Sequence, residues 1–321
     1  MRAITSRARS IRGAAMTQML VCFLGTSGGM PSPSRALPSV AIRVSGSLLL
    51  FDCGESTQRQ LLSSGLGLPK ELKIFITHRH ADHLLGVPGV LYTLSMMGRE
   101  EPVAIYGPPT ACETVERLLE ALDTEVGFEV EITPTGLGTV YQGRGFRMAA
   151  VESDHSTESY CYGLFENDRP GKMRVEYLES LGLPRGPLWG RLQRGEPVEF
   201  SGRTILPEEA VDPPRRGRKI VYTGDTRFSQ RIIEFARHAD LLIHDATFDQ
   251  SLVERAHDEG HSTAREAAEA ALQAEARMLA LFHISPRYHG REETLLSEAK
   301  KLFPNTILPS DLEKLEIPYP D

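Results

Sequence analysis

Four side chains that can bind a metal ion occur within six consecutive positions of this sequence. They are His78, His80, Asp82 and His83. His78 and His80 are two apart in an extended turn and therefore project the same way, whereas Asp82 and His83 lie one turn further on and can face an adjacent point. Imidazole combined with carboxylate suits zinc, and two neighbouring ligand sets suit two ions. The alternative, a polar helix cap with incidental histidines, does not account for the spacing.

Three more metal-competent residues stand shortly after apolar runs that predict strands. They are His155, Asp225 and His283. Ligands of open α/β sheets gather at the carboxyl ends of the strands, so we expect these residues to lie at one edge with the first cluster. Taken alone, His155 or His283 would more commonly be a structural histidine.

The elements that must position these residues alternate along the chain. Short apolar runs between polar or Gly-rich turns predict strands over 19–24, 40–44, 48–51, 72–76, 103–106, 146–151, 220–222, 241–243 and 278–282. Capping boxes are predicted at Thr110 with Glu113 and at Thr263 with Glu266, and the Ala-rich segment 264–276 favours a helix. Early hairpins followed by strand–helix alternation predict an α/β fold in which helices cover the faces of sheets.

Residues 168–219 break this alternation. Gly and Pro make up 14 of these 52 residues, and 11 Lys or Arg against 8 Asp or Glu give a local charge of +3 in a chain of formal charge −7. So long an irregular insert in a compact domain is usually functional or a linker. Because a local basic patch is enough to attract phosphate, the insert points weakly to a polyanionic partner.

The rest of the composition excludes several classes of protein. No stretch approaches the roughly 18 apolar residues that a membrane span needs, so we expect a soluble protein without a membrane partner. Four scattered cysteines exclude a disulfide framework and fit the reducing cytoplasm. Residues 1–15 carry four arginines and no acid. We expect a disordered leader or an upstream start before Met16, with an organelle-targeting peptide as the alternative.

The cluster at 78–83 has the pattern His-x-His-x-Asp-His, the defining motif of the metallo-β-lactamase superfamily. Together with the segment 52–58 and the later strand-end motifs, it resembles the ribonuclease Z family over residues 18 to about 305. The resemblance implies a four-layer αβ/βα sandwich, with 16–321 as the catalytic domain and two zinc ions per chain. It also implies a ligand assignment: His78, His80 and His155 hold one zinc, Asp82, His83 and His283 hold the other, and Asp225 bridges them.

The same resemblance implies a reaction, the zinc-dependent endonucleolytic removal of the 3′ trailer from precursor tRNA. The products are a 3′-hydroxyl on the tRNA and a 5′-phosphate on the trailer. Asp82 would orient or deprotonate the attacking water, and His261 would protonate the departing 3′-oxygen. His244 begins a segment similar to the family's His-Glu-Ala-Thr box, with Asp245 in place of Glu, and a structural histidine is an equally good interpretation. The alternative function is a small-molecule metallo-hydrolase (phosphodiesterase, thioesterase or lactonase), which would lack the basic insert.

The insert would correspond to the arm with which family members grip the tRNA elbow. Gly186 and Pro187 match the family's Gly-Pro motif, and Arg191 and Arg194 follow it. We therefore expect these four residues to bind tRNA. Family members are usually homodimers in which the arm of one subunit serves the active site of the other, so we also expect a homodimer.

A loop near the first strand carries one more candidate tRNA contact. Residues 31–36 are similar to the family's Pro-x-Lys-x-Arg-Asn loop near the cleavage point, and Arg35 is retained. Pro33 and Ala36 replace the lysine and the asparagine. The resemblance therefore leaves discrimination against CCA-bearing tRNA open.

Overall fold

The apolar runs of the first third of the chain pair into a seven-stranded sheet. The computed structural model describes residues 18–320, so the leader predicted at 1–15 lies outside the described residues. Numbered in chain order, the strands of this sheet lie in the spatial order β16 (Lys314–Glu316), β1 (Leu20–Gly25), β2 (Ser39–Val44), β3 (Ser47–Phe51), β4 (Leu72–Phe75), β5 (Val103–Gly107) and β6 (Val130–Pro134). Pairing is antiparallel from β16 to β3 and parallel from β3 to β6.

A second seven-stranded sheet repeats this mixture of pairings. Its spatial order is β15 (Thr306–Ile307), β14 (Leu279–Phe282), β13 (Leu241–Asp245), β12 (Lys219–Tyr222), β9 (Tyr160–Glu166), β8 (Phe146–Glu152) and β7 (Gly138–Gly143). The strands from β7 to β12 pair antiparallel and those from β12 to β15 pair parallel. The nine predicted strands all appear, each within about two residues of its predicted ends.

Between β9 and β12 the chain folds into a small lobe, which we call the insert (168–219). Its elements are α5 (Val175–Ser180), α6 (Pro187–Gln193), β10 (Val198–Phe200), β11 (Arg203–Ile205) and α7 (Pro207–Ala210). They enclose a separate apolar core that includes Leu178, Leu192 and Ile205. Antiparallel bridges between Arg169 and Arg215 and between Met173 and Val211 form its stem. The expectation of irregular structure is therefore wrong for this segment.

Residues 317–320 contact the root of the insert, which is the part around Arg169 and Arg218 where the insert joins the sandwich. The ring of Tyr319 lies between two guanidinium groups, with Cζ of Arg169 3.6 Å and Cζ of Arg218 3.9 Å from its centroid. Arg218 is buried, pairs with Glu166 at 2.7 Å and donates to the carbonyl of Ile317 at 3.0 Å. A cation held this way against an aromatic face and a carboxylate joins three segments that are distant in sequence.

Three apolar cores separate four layers. The central core lies between the two sheets and contains rings from both, such as Phe51, Phe75 and Tyr222. On the first sheet the outer layer consists of α1 (Thr57–Ser63), α2 (Ala81–Leu84), α3 (Val87–Met96) and α4 (Pro109–Ala121). On the second sheet it consists of α8 (Gln230–Ala236), α9 (Val253–Glu259), α10 (Ala264–Gln273) and α11 (Glu293–Lys300). The predicted αβ/βα sandwich is confirmed. No helix of residues 18–320 combines the length and the apolar character that a membrane crossing requires.

One predicted helix start is confirmed and one is wrong. Thr263 caps α10, since its hydroxyl accepts the backbone N–H of Glu266 and the Glu266 carboxylate accepts the backbone N–H of Thr263. In α4, however, Thr110 lies inside the first turn and donates to the Glu158 carboxylate. Pro109 starts that helix instead, because its ring fixes φ at a helical value and its position needs no N–H.

Candidate metal centre

The seven candidate ligands meet at the seam between the two sheets. The first sheet supplies the segment after β4, with α2 as its continuation. The second sheet supplies the segments that follow β8, β12 and β14. In chain order the residues are His78, His80, Asp82, His83, His155, Asp225 and His283. Because three separate strands of one sheet face one segment of the other, the site forms only when the sandwich is closed.

Four of these residues form a first group. Ligand atoms of His78, His80, His155 and Asp225 all lie within 4.8 Å of one another. Nε2 of His155 is 3.2 Å from Nδ1 of His80. Oδ2 of Asp225 is 3.7 Å from Nε2 of His78 and 3.9 Å from Nε2 of His155. Four donors at this spacing can converge on one cation.

A second group lies on the other side of Asp225. Ligand atoms of Asp82, His83 and His283 lie within 4.8 Å of one another. Oδ1 of Asp225 is 3.3 Å from Nε2 of His83 and 3.3 Å from Nε2 of His283, and Oδ2 of Asp82 is 3.4 Å from Nε2 of His283. The two oxygens of Asp225 thus face two different sets of donors.

Several of these atoms are buried with no hydrogen-bond partner among residues 18–320. They are Nε2 of His78, Nε2 of His83 and Oδ1 of Asp225. An unsatisfied buried polar atom costs about 1–3 kcal/mol, so three in one site are unfavourable unless another group binds them. A divalent cation accepts lone pairs from imidazole and carboxylate, and this donor set therefore fits one.

The other ring nitrogen of four histidines is already held by the protein. Such contacts fix the tautomer and the orientation of a metal-binding imidazole. The pairs, all at 2.8–2.9 Å, are His78 with the Thr77 hydroxyl, His83 with the Asp52 carboxylate, His155 with the Gly260 carbonyl and His283 with the Thr247 hydroxyl. Each imidazole therefore presents only Nε2 to the site.

Asp52 has a larger role than its place in the sequence motif indicated. Its buried carboxylate accepts from the backbone N–H and the hydroxyl of Thr77, from the Tyr222 hydroxyl at 2.8 Å, and from Nδ1 of His83. It lies just after β3, a strand-end position like those of the ligands. That position, together with its place at the start of the segment 52–58, is the signal by which it could have been found from sequence.

Charge in the site favours neutral imidazoles beside ionised carboxylates. Burial lowers the pKa of His78, His80 and His155, so these rings stay neutral, as metal binding requires. Burial alone would raise the pKa of Asp82 and of Asp225, but neighbouring histidines outweigh it and lower both values.

The pKa of His83 is shifted in the opposite direction, because carboxylates around it favour a positive charge. Its burial would lower its pKa, yet the carboxylates of Asp225, Asp82 and Asp52 raise the pKa well above the usual value. A proton there occupies the place that a metal cation would take. The second group therefore attracts positive charge.

His261 lies beside both groups and is held by Asp245. Its Nδ1 is 2.8 Å from Oδ2 of Asp245 and 3.9 Å from Oδ2 of Asp225. Burial would lower the pKa of His261, but the two carboxylates overcome this and raise it to about 9. The ligand atoms of Asp225, Asp245, His261 and His283 also lie within 4.8 Å of one another.

The Asp245 carboxylate is held by hydrogen bonds from neighbouring residues. Its carboxylate accepts from the backbone N–H of Thr226, from the backbone and hydroxyl of Thr247, and from His261. The preceding His244 is buried on the opposite side of β13, with Nδ1 2.8 Å from the Asp245 carbonyl, and belongs to none of the three groups among residues 18–320. The placement favours the structural interpretation of His244.

The residues predicted to bind tRNA lie elsewhere. Gly186 and Pro187 are exposed at the start of α6, and Arg191 and Arg194 both pair with Glu196. Arg35 is engaged inside the protein: its side chain is 10% exposed, and Nη1 donates to the Thr26 hydroxyl at 2.6 Å and the Pro309 carbonyl at 2.7 Å. The geometry thus gives Arg35 a structural role in holding its loop.

Comparison with known proteins gives the same picture as the geometry. The chain is 45% identical over 300 residues to ribonuclease Z of Methanosarcina acetivorans, covering 93% of this chain and 98% of that protein. The chain belongs to the ribonuclease Z family. Two domain families also match, the anti-Pycsar protein Apyc1 family over residues 19–170 and the β-lactamase superfamily domain over residues 210–284.

Solved structures agree with this family assignment. The crystal structure of human tRNase Z, short form, superposes with a TM-score of 0.66 at 29% identity and covers 93% of this chain and 99% of that one. The metallo-β-lactamase fold protein YhfI from Bacillus subtilis also superposes with a TM-score of 0.66, at 18% identity, covering 94% of this chain and 99% of that one. The second likeness concerns the fold alone.

Removal of one first-group imidazole should remove metal. In His80→Ala we expect bound divalent metal per chain to fall by roughly half or more, because a lost ligand leaves the remaining donors unable to complete the site. Elemental analysis after gentle purification measures this. His257→Ala, on the surface outside all three groups, is the control and should keep its metal. Full metal content and full phosphodiesterase activity in His80→Ala would contradict the site.

Proposed function

We propose that this protein is a zinc-dependent endoribonuclease that removes the 3′ trailer from precursor tRNA. The tRNA product ends in a 3′-hydroxyl and the trailer begins with a 5′-phosphate. The observation that carries the proposal is the Asp225 carboxylate, whose two oxygens face two groups of buried donors. Ribonuclease Z relatives that match over nearly the whole chain support the same reaction.

The proposed cofactors are two zinc ions. His78, His80 and His155 would hold one, Asp82, His83 and His283 the other, and Asp225 both, an assignment that the two groups support. When bound, two zinc ions supply Lewis acidity toward a phosphodiester and lower the pKa of water to roughly 7. The other roles in the reaction, positioning of water and donation of a proton, are assigned to side chains of this chain.

Asp82 is the proposed base or positioning group for the attacking water. Its side chain is 14% exposed, whereas that of Asp225 is 3% exposed, so Asp82 is the more accessible carboxylate. Oδ2 accepts the backbone N–H of Gly29 at 3.0 Å, which fixes the carboxylate. A carboxylate held in this way can accept a proton from water while it orients the oxygen.

His261 is the proposed proton donor to the departing ribose 3′-oxygen. Asp245 holds Nδ1 at 2.8 Å, so Nε2 is the nitrogen left for substrate. The same contact holds the ring beside the second group, with its centroid 5.0 Å from that of His283. Asp245 therefore acts as a positioning residue, and His261 as the residue that touches the leaving group.

This assignment predicts a dependence on the leaving group. His261→Ala should slow cleavage of precursor tRNA by about 10²- to 10⁴-fold, the usual effect of losing a proton donor, because a ribose alkoxide leaves poorly. Hydrolysis of bis(p-nitrophenyl) phosphate should slow much less, because p-nitrophenolate leaves unaided. Steady-state rates on both substrates and metal analysis measure this. An equal loss on both with metals intact would contradict proton donation, and a lost metal would make His261 a ligand.

The insert is proposed to be the tRNA-binding arm of a catalytic domain that spans 16–321. Gly186, Pro187, Arg191 and Arg194 are the proposed contacts, and their exposure on α6 supports this. A lobe with its own core can hold these contacts in fixed positions. The small-molecule hydrolase considered above gives no reason for such a lobe.

The stem allows a clean deletion of this arm. Because Met173 and Val211 bridge the two stem strands, residues 174–210 can be replaced by two glycines without disturbing the root. We expect precursor tRNA binding to weaken and its salt dependence to become less steep, while turnover of bis(p-nitrophenyl) phosphate stays near wild type. Binding titrations over a range of KCl measure this. Equal loss on both substrates would show that the insert supports the fold instead.

A homodimer is also proposed, with the arm of one copy serving the site of the other. β12 begins at Lys219, next to the insert, and leads toward Asp225 at its other end. The insert root is thus about 13 Å or more from the metal centre of its own chain, the length of a four-residue strand. Four exposed large hydrophobic residues lie on α3 or next to its ends, and we call them the α3 face: Leu85, Tyr92, Met96 and Met97. A second copy is its proposed occupant.

Charges on the α3 face should separate the copies. We expect the double variant Tyr92→Glu, Met96→Glu to halve the mass measured by light scattering and to lose precursor cleavage but keep its metal. Leu272→Glu on α10 is the matched control, since Leu272 is 53% exposed and lies outside this face. A wild-type monomer, or an unchanged mass in the double variant, would contradict this interface.

The proposed partner and compartment follow from the reaction. Precursor tRNA is the proposed substrate, and the cytoplasm the proposed location. All four cysteines are free and buried, which suits a reducing compartment.

A further inference from the structure

The positive charge of the insert lies at its root and not at its tip. Most cations of the lobe are paired with carboxylates inside it. The pairs are Arg174–Asp212, Arg185–Glu179, Arg191–Glu196, Arg194–Glu196 and Arg203–Glu209. At the root five cations lie close together in sequence, at 169 and 215–219, and two of them, Arg216 and Arg218, pair with Asp240 and Glu166. The excess that attracts a polyanion is therefore concentrated beside the sandwich.

A cavity of about 410 Å³ opens at this place, and we call it the root pocket. It is lined by residues 147, 165–168, 216–219 and 237–238. Five of these residues are Lys or Arg and two are acids. A pocket with this lining carries a positive potential, and its low-dielectric walls concentrate that potential.

The back of the root pocket is formed by three side chains that lie next to one another on three neighbouring strands. Arg147 on β8 is the register partner of Phe165 on β9, and Phe165 is the partner of Lys219 on β12. Cζ of Arg147 is 4.1 Å and Nζ of Lys219 is 5.1 Å from the centroid of the Phe165 ring. The ring holds two cations on neighbouring strands close to one cavity.

The carboxylates around the root pocket already form ion pairs or hydrogen bonds with groups other than Arg147 and Lys219. Glu166 pairs with Arg218, Asp168 accepts the backbone N–H of Gly217, and Asp240 accepts from Arg216. Within residues 18–320 no carboxylate forms an ion pair with Arg147 or Lys219. The ammonium of Lys219 donates to the Arg237 carbonyl at 2.7 Å.

Repulsion among the cations is visible at Lys219. Burial, together with the smaller effects of the neighbouring Arg216 and Arg147, lowers the pKa of Lys219 to about 8, although Cys161 and Asp240 act in the opposite direction. A bound anion would relieve this repulsion. Of the five cations that line the pocket, Arg216, Arg218 and Arg237 pair with Asp240, Glu166 and Glu275, so the positive charge left unpaired within residues 18–320 belongs to Arg147 and Lys219.

We propose that the root pocket binds a backbone phosphate of the RNA that the insert holds, with Arg147 and Lys219 as the contacts. This inference rests on the proposed function, because it assumes an RNA substrate bound along the insert. RNA is favoured over a small phosphate compound because the pocket is continuous with the insert and open to one side. It adds a contact at the base of the arm, away from the scissile bond.

The salt dependence of cleavage tests the contact. For Arg147→Gln and Lys219→Gln, the slope of log(kcat/KM) for precursor tRNA against log[KCl] should become less steep, in each case by at most about 0.7–0.9, the value of the one phosphate contact that the two cations share. Lys219→Arg should restore the wild-type slope. Arg277→Gln is the matched control. Arg277 approaches Asp240 at 3.5 Å, as Arg216 of the pocket does, but Arg277 does not line the pocket. Turnover of bis(p-nitrophenyl) phosphate should be unchanged in all four variants.

The outcomes separate this inference from the function on which it rests. Wild-type slopes in both glutamine variants, or an equal change in Arg277→Gln, would overturn the phosphate contact while precursor cleavage still stands. Inorganic phosphate that binds at Lys219 in calorimetry without any change of slope would assign the pocket to a small anion and also overturn it. Failure of the wild-type protein to cleave any precursor tRNA would overturn the function itself.

Discussion

Asp225 is the group on which the rest of the site depends. Its carboxylate is buried where two sets of imidazoles converge, and one oxygen faces each set. Each set takes two side chains from the segment after β4 of the first sheet and one from the second sheet, and Asp225 itself follows β12 of the second sheet. A cation bound there joins the two halves of the sandwich, so its binding free energy also stabilises the closed fold.

The ring of contacts around the ligands prepares the site before any cation arrives. Hydroxyls of Thr77 and Thr247, the Asp52 carboxylate and the Gly260 carbonyl each hold one imidazole. Rings fixed in this way lose little freedom when they bind a metal, and positioned groups are what catalysis of phosphodiester hydrolysis requires. Asp52 contributes most, since it also ties Tyr222 of the opposite sheet to this network.

How much could be predicted from sequence depended on how local each feature is. The ligands could be predicted because each follows a short, largely apolar strand, and the capping box of α10 because it spans four residues. Strand β6 was not predicted, since it carries Glu131 and is largely exposed. The core of the insert was missed because helices of six and seven residues show no clear period. The engagement of Arg35 depends on Pro309, a contact too distant in sequence to infer.

The pairing of β1 with β16 has a consequence for how the protein is made. Leu20 is opposite Glu316, so β1 lacks one of its two partner strands until residue 316 has been synthesised. The same final segment carries Tyr319, which completes the root of the insert. Contacts this distant in sequence slow folding, and the histidine-rich segment after β4 is exposed on the ribosome long before its partners exist. The full set of candidate ligands therefore exists only after His283 has been synthesised.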